Sequence, residues 1–166
     1  NKRLPNGGKV VGVIDGDTIE IEENGTKWEI RFFGIDAPEI DIAAQTDKEK
    51  YGMKAKEFLS ALCLGKRVKL IYRGDYFDKY GRLLANSKLD SDDNCLSQEL
   101  LKYGLAKPYL YHDPKKQYEN TERETVYGLW HVYARSAQGN KLYVWDDRTD
   151  PYVEKMIREF NKRRTR

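Results

Sequence analysis

The chain has 166 residues, of which 39% are hydrophobic and 34% charged, with twelve tyrosines and a formal net charge of +3. That length fits one domain with its own core. The composition excludes a disordered polar chain, and no apolar run is long enough for a membrane-spanning helix. The charge is uneven: residues 155–166, KMIREFNKRRTR, carry six Lys/Arg and one Glu, so the rest of the chain sums to −2. An anion site must therefore come from local arrangement, not from an overall basic field. Cys63 and Cys95 are expected as two buried free thiols. They form no Cys-x-x-Cys or Cys/His spacing, and His112 and His131 are isolated, which argues against zinc. No signal-peptide pattern is read at Asn1, which leaves export open.

In chain order, residues 9–15 (KVVGVID) and 18–23 (TIEIEE) alternate apolar and polar side chains and are predicted strands. Asp15 and Asp17 flank Gly16 at the turn between them, where the glycine is expected to grant backbone freedom. Asn24-Gly25 signals a hairpin into a third strand, 27–35 (KWEIRFFGI). Trp28, Ile30 and Phe32 fall on one face of that strand, and Lys27, Glu29, Arg31 and Phe33 on the other. The stretch after Pro38, EIDIAAQTDKEK, reads as a polar loop. Tyr51, Ala55, Phe58, Leu59 and Leu62 then recur at helical spacing, and Gly65 stops the helix.

Residues 66–73 and 82–90 are predicted strands around the loop GDYFDKYG. Residues 96–104 form a short helix ended by Gly104, and LAKPYLY is extended. Asp113-Pro114 opens a helix to about Tyr127, and Asp150-Pro151 opens a basic final helix with an apolar stripe of Tyr152, Met156, Ile157 and Phe160. Five short strands with about three helices suit a β-barrel plus helices (α+β), a five-stranded OB-fold barrel, with a C-terminal extension ending in the basic helix.

The chemistry gathers at strand ends. In a meander the end of strand three lies beside the start of strand two, so Asp17 and Asp36 share one end of the barrel, with Glu39 just beyond. Carboxylates gathered without histidine or thiol call for a hard cation, Ca²⁺ or Mg²⁺. Arg31, and Arg82 at the start of the later strand, suit a clamp for a tetrahedral anion, because guanidinium groups grip phosphate oxygens in pairs. Glu39, free of metal duty, can orient or deprotonate a water. A metal, two arginines and one base suffice for phosphodiester hydrolysis. Each residue also has a plainer reading: Asp15-Gly16-Asp17 as a tight turn, Asp36 as a turn cap, Arg31 paired with Glu29 or Glu20, and Arg82 at the surface. Their joint placement at one barrel mouth shifts the balance toward chemistry.

The segments VIDGDTIEI, IRFFGIDAPE, YGMKAKEFL, DKYGRLLA and LLKYGLAKPYLY, in this order and spacing, resemble the staphylococcal (micrococcal) nuclease, or thermonuclease, family from about Val10 to Trp130. The resemblance implies a five-stranded OB barrel with three helices over residues 8–133, followed by an extension over 134–166. It implies that Asp17, Asp36 and the backbone carbonyl of Ala37 bind Ca²⁺, that Glu39 acts on the attacking water, and that Arg31 and Arg82 hold the phosphate. It further implies cleavage of DNA and RNA at the P–O5′ bond to leave 3′-phosphate ends. Tyr109 and Tyr111 match the family's paired tyrosines, and one of the two, with Tyr109 favoured, is expected to contact substrate, where an aromatic face stacks bases whatever their identity. Lys79 and Tyr80, beside Arg82, are candidates to touch a terminal phosphate. A monomer is expected; the family resemblance is compatible with a secreted or cell-surface protein, and the localisation is left open.

The loop after Glu39 is acidic where the family's type enzyme is basic, and the tail beyond Trp130 has no family guide. Two rival readings remain. One is a nuclease-like OB module that binds nucleic acid or a protein without cleaving, which the joint presence of Asp17, Arg31, Asp36, Glu39 and Arg82 disfavours. The other is a partner-binding domain whose active element is the C-terminal tail.

Overall fold

The computed structural model describes residues 3–37, 47–72, 76–108 and 151–164. Its elements are β1 (Gly7–Asp15), β2 (Thr18–Glu23), β3 (Thr26–Arg31), β4 (Ile35–Asp36), α1 (Asp47–Cys63), β5 (Arg67–Ile71), β6 (Leu83–Leu84), β7 (Asn86–Leu89), α2 (Leu96–Lys102), β8 (Lys107–Pro108) and α3 (Pro151–Arg164). Glu39, Tyr109, Tyr111, the helix expected over 113–127 and the boundary at 133 lie outside the described residues.

The strands β1, β2 and β3 form the expected antiparallel meander, with Val13 opposite Ile19 and Ile19 opposite Ile30. Period-two alternation sends Ile19, Ile21 and Ile30 into the core at 0% exposure. At the hairpin tip Asn24 and Gly25 both take positive φ, 53° and 81°, the backbone that a tight two-residue turn between right-twisted strands requires.

Three predicted boundaries move, each for a local reason. β3 ends at Arg31, not at residue 35. Gly34, at φ 86°, turns the chain, and Ile35–Asp36 pair with Lys107–Pro108 in a separate two-stranded sheet. Residues 82–90 are not one strand. Leu83–Leu84 run parallel to β3, whereas Asn86–Leu89 run antiparallel to β5, and the Ala85 N–H between them donates to the Arg31 carbonyl at 3.2 Å. The main sheet therefore has the order β6-β3-β2-β1-β5-β7, and its two outermost strands are consecutive in the chain. One residue joins the ends of the sheet, so it curls back on itself in the manner of an OB-like barrel. The third change is that α1 begins at Asp47, taking DKEK from the expected loop. Lys and Glu are strong helix formers.

The core is continuous from the sheet to the helices. Ala55, Phe58, Leu59 and Cys63 of α1 are buried with Val10, Ile30, Phe32 and Leu83, and Leu96, Leu100 and Leu101 of α2 join them. Full burial of a side chain such as Phe58 contributes about 1.5–3 kcal/mol. Gly65 (φ 82°) and Gly104 (φ 70°) follow the helices they were expected to end.

α3 packs on α1. Its buried residues are Val153 and Ile157, with Met156 partly covered and Tyr152 42% exposed, so the packed stripe is centred on Val153 instead of starting at Tyr152. Tyr152 nonetheless leans on Tyr103, ring centroids 5.1 Å apart, and Lys54 Nζ meets Glu154 Oε1 at 2.8 Å. Both cysteines are free, as expected, but Cys95 is only half-buried, at the N-terminus of α2. No described helix is long and apolar enough to cross a membrane.

Candidate active site

The site is built around the β1–β2 turn and the end of β3. The Asp15 carboxylate accepts the Asp17 N–H at 3.0 Å, so Asp15 shapes the turn, as its position predicts. Gly16 is there for a reason the sequence did not show. It has no positive φ. A Cβ on it would lie 2.6 Å from the Ala55 Cβ of α1 and 2.8 Å from the Ala37 Cβ. The glycine lets helix, turn and the 35–37 segment close on one another.

Register then fixes the neighbours. Thr18 pairs with Arg31, and the Phe32 N–H donates to the Asp17 carbonyl at 2.8 Å, so the start of β2 and the end of β3 meet as expected. Asp17 is 6% exposed. Its Oδ2 accepts the Ala37 N–H at 2.9 Å and lies 3.4 Å from Arg31 Nη2, and its Oδ1 accepts the Thr18 hydroxyl at 3.0 Å. Burial first, and the neighbouring Asp15 carboxyl second, push the Asp17 carboxyl up to about 6, against the pull of Arg31. A carboxylate placed in so dry a spot at that cost is a functional signal.

Arg31 is oriented by acceptors on both sides. Nη1 donates to the Phe32 carbonyl at 2.7 Å, and Nη2 donates to the Ile35 carbonyl at 2.8 Å. It pairs with Asp17, not with Glu29 or Glu20. A guanidinium carries five N–H donors, so these contacts set its plane without exhausting it. Asp17, Arg31, Ala37 and the backbone of Asp36 thus form one cluster.

Arg82 is held separately. Its Nε donates to Asp78 Oδ2 at 2.7 Å, while Asp78 Oδ1 accepts the N–H groups of Tyr80 and Arg82 at 2.9 Å each. Asp78 therefore both closes the DKYG turn and aims the arginine, a role the sequence reading missed. An Asp four residues before an Arg, at the head of a turn ending in glycine, was the available signal. Thr18, which donates to Asp17, was also missed. Tyr80 is 72% exposed, with Lys79 Nζ 5.0 Å and the Arg82 guanidinium carbon 5.3 Å from its ring centre. Leu84 pairs with Arg31, and Arg82 lies two residues before Leu84, so both arginines are on the same outer face of the sheet.

The donors that the resemblance implies for a cation, Asp17, Asp36 and the Ala37 carbonyl, are all oxygens, a set that suits calcium or magnesium and not zinc. Among the described residues no three acidic, histidine or cysteine side chains converge.

Residues 29–147 match the family described as Staphylococcal nuclease homologue. A Thermonuclease of Staphylococcus hyicus is 34% identical, over 84% of this chain and 75% of that protein. An uncharacterised protein of Methanocaldococcus jannaschii is 36% identical, over 74% of this chain and 70% of that protein. Endonuclease YncB of Bacillus subtilis is 32% identical, over 80% of this chain and 58% of that protein. The chain belongs to the staphylococcal nuclease homologue family.

Proposed function

We propose that the protein is a calcium-dependent, sugar-nonspecific endonuclease that hydrolyses DNA and RNA at the P–O5′ bond to leave 3′-phosphate ends. The observation that carries this reading is the burial of Asp17 against Arg31 and Ala37: an anionic ligand and a phosphate-gripping cation in one dry corner. The Thermonuclease and Endonuclease names of the relatives support the same reaction class.

Asp17, Asp36 and the Ala37 carbonyl would hold the calcium ion. When bound, the ion supplies positive charge that draws electron density from a phosphate oxygen. Arg31 and Arg82 grip the phosphate from two neighbouring strands and stabilise the charge that builds on its oxygens during displacement. Glu39 accepts a proton from the attacking water or orients it. Tyr80 and Lys79 border the phosphate grip, and Tyr109 and Tyr111 are assigned to bases. Residues 134–166 are assigned to an extension, with the basic end of α3 available for salt-sensitive contacts to phosphates.

The test is supercoiled plasmid and a homopolymer RNA incubated with calcium, with calcium plus chelator, and with an Arg31→Ala/Arg82→Ala double variant. Cleavage is expected only in the first arm, with 3′-phosphate ends. Full cleavage by the double variant overturns the assignment. Tight binding without cleavage in every arm would favour the binding-module reading.

A further inference from the structure

At the end of the sheet opposite the candidate active site, a pocket of about 360 Å³ lies between residues 3–6 and the β2–β3 hairpin. The register sets its distance from Arg31. Thr18 pairs with Arg31 at one end of the hairpin, and Glu23 pairs with Thr26 at the other. Five residue steps of about 3.4 Å put those rows about 17 Å apart. Alternation sets its face. Glu23, Thr26 and Trp28 fall on the side of Ile21 and Ile30, which lines the core, whereas Arg31 falls on the outer side. The pocket is therefore separate from the cluster around Arg31. Both of its walls are held in place. The Tyr72 hydroxyl donates to the Pro5 carbonyl at 2.6 Å and the Leu70 N–H to the Asn6 carbonyl at 2.8 Å, which ties the N-terminal wall to β5 and its end. The other wall is the hairpin, whose tip is set by the positive φ of Asn24 and Gly25. Trp28, half-buried, packs against the core and lines the pocket.

The lining carries both signs of charge. Arg3 stands on one wall and Glu23 on the other, and among the described residues no ion pair joins them. An anion entering the pocket is opposed by Glu23, and a cation by Arg3. An uncharged planar ring, with donors along one edge and acceptors along the next, suits both side chains and the indole. Guanine has that layout. Its N1–H and N2–H₂ donors match the two oxygens of a carboxylate, and its O6 and N7 acceptors match the fork of a guanidinium. Its face stacks on an aromatic ring. Adenine and cytosine offer a carboxylate one amino group in place of that pair, and thymine offers one imide N–H. The volume falls at the low end of the roughly 300–1,000 Å³ found for small-ligand sites, a size for one base with its sugar.

We propose that this pocket is a second ligand site that takes a guanine base, either of a free nucleoside or nucleotide or of an unpaired residue in a chain. Glu23 and Arg3 read the edges of the base and Trp28 stacks its face.

The test is titration calorimetry of the full chain with guanosine in the presence of chelator. Guanosine carries no phosphate, so a clamp for phosphate gives it no hold. Saturable binding is expected, with adenosine weaker by about 5–150-fold. Glu23→Gln keeps the side-chain shape but turns one acceptor into a donor, and is expected to weaken guanosine by about 10–150-fold. Arg3→Gln is expected to weaken it as well, and the Arg31→Ala/Arg82→Ala double variant to bind it as the parent does. The source of the base is read from an oligodeoxythymidylate with one internal deoxyguanosine against the all-thymidine strand. A gain in affinity that Glu23→Gln removes upholds the pocket and assigns it to guanine in a chain. No gain, with guanosine still bound, upholds it for the free nucleoside. Absence of guanosine binding, equal binding of adenosine, parent affinity in Glu23→Gln, or loss of guanosine from the double variant overturns the proposal. None of these outcomes bears on the endonuclease reading, whose test is cleavage. Circular dichroism and thermal melting confirm that the variants are folded.

Discussion

The Ala37 N–H donates to Asp17 Oδ2 at 2.9 Å across twenty residues of chain. This bond ties the 35–37 segment to the β1–β2 turn and fixes the backbone of Ala37 beside the Asp17 carboxylate. On the proposed reading the Asp17 carboxylate therefore serves structure and metal binding at once.

The first prediction concerns that double duty. Without metal, the folded-state value of Asp17 is about 6 against an ordinary 3.8, so the native protein holds this proton more tightly than the unfolded chain. The group then costs nothing below pH 3.8, costs more as the pH rises, and exerts its full penalty above about 6, on the order of 1–3 kcal/mol. Asp17→Asn is expected to raise the metal-free Tm at pH 7, to flatten its pH dependence between 4 and 6, and to reduce cleavage by orders of magnitude. Thermal melts in chelator across that range, beside plasmid assays, check it. A lower Tm for the variant at pH 7 would show that Arg31 depends on the charge more than the charge suffers from burial.

Asp15 and Asp17 separate cleanly. Asp15→Ala removes one turn hydrogen bond, worth about 0.5–1.5 kcal/mol, and is expected to leave calcium affinity within a few-fold. Asp17→Ala is expected to weaken calcium binding at least tenfold. Titration calorimetry of the two variants decides, and the reverse order would mean the turn has been misassigned.

Gly16→Ala tests close packing. Its Cβ would sit 2.6 Å from Ala55 and 2.8 Å from Ala37, so α1 or the 35–37 segment must give way. Overpacking of this kind costs about 1–3 kcal/mol by denaturant melts, and displacement of Ala37 is expected to lower activity as well. Ala55→Gly in the same chain is expected to return part of the activity while keeping a helix penalty of about 1 kcal/mol.

Asp78→Ala tests how Arg82 is aimed. The variant loses the 2.7 Å contact to Nε and two turn hydrogen bonds. A fall of roughly tenfold or more in kcat/KM is expected, carried mainly by kcat, because the arginine is asked to act on charge that develops in the transition state. Arg82→Lys is expected to fall further, since an ammonium does not offer the planar fork. Parent kinetics in Asp78→Ala would show that substrate alone orients Arg82.

Much of this arrangement was legible in the sequence, and what was not has physical causes. Alternation and Asn24-Gly25 declared the meander, and the meander alone brought Asp17 to the end of β3. Glycines after α1 and α2 marked their ends. Three things were not readable. A strand that changes partners at Ala85 shows no break in its apolar pattern, because both halves face the same core. The need for glycine at position 16 comes from Ala37 and Ala55, residues far along the chain. The acceptors that orient Arg31 are backbone carbonyls of Phe32 and Ile35, which no side-chain motif announces. Helix α3 was legible as an amphipathic segment, but its buried centre at Val153 depended on how it sits against α1.

The single-residue join at Ala85 has a consequence for assembly. Arg31 stands on one bank of the β3–β6 seam and Arg82 on the other, and the seam itself is only two residues long. So short a parallel pairing, between segments some fifty residues apart in sequence, is expected to zip late and to fray early. On the proposed reading the two guanidinium groups share one anion, and they can do so only once the sheet's ends have met. On that reading a chain that is still folding, or that has begun to open, carries two scattered arginines and no grip on phosphate, so competence and closure arrive together and are lost together.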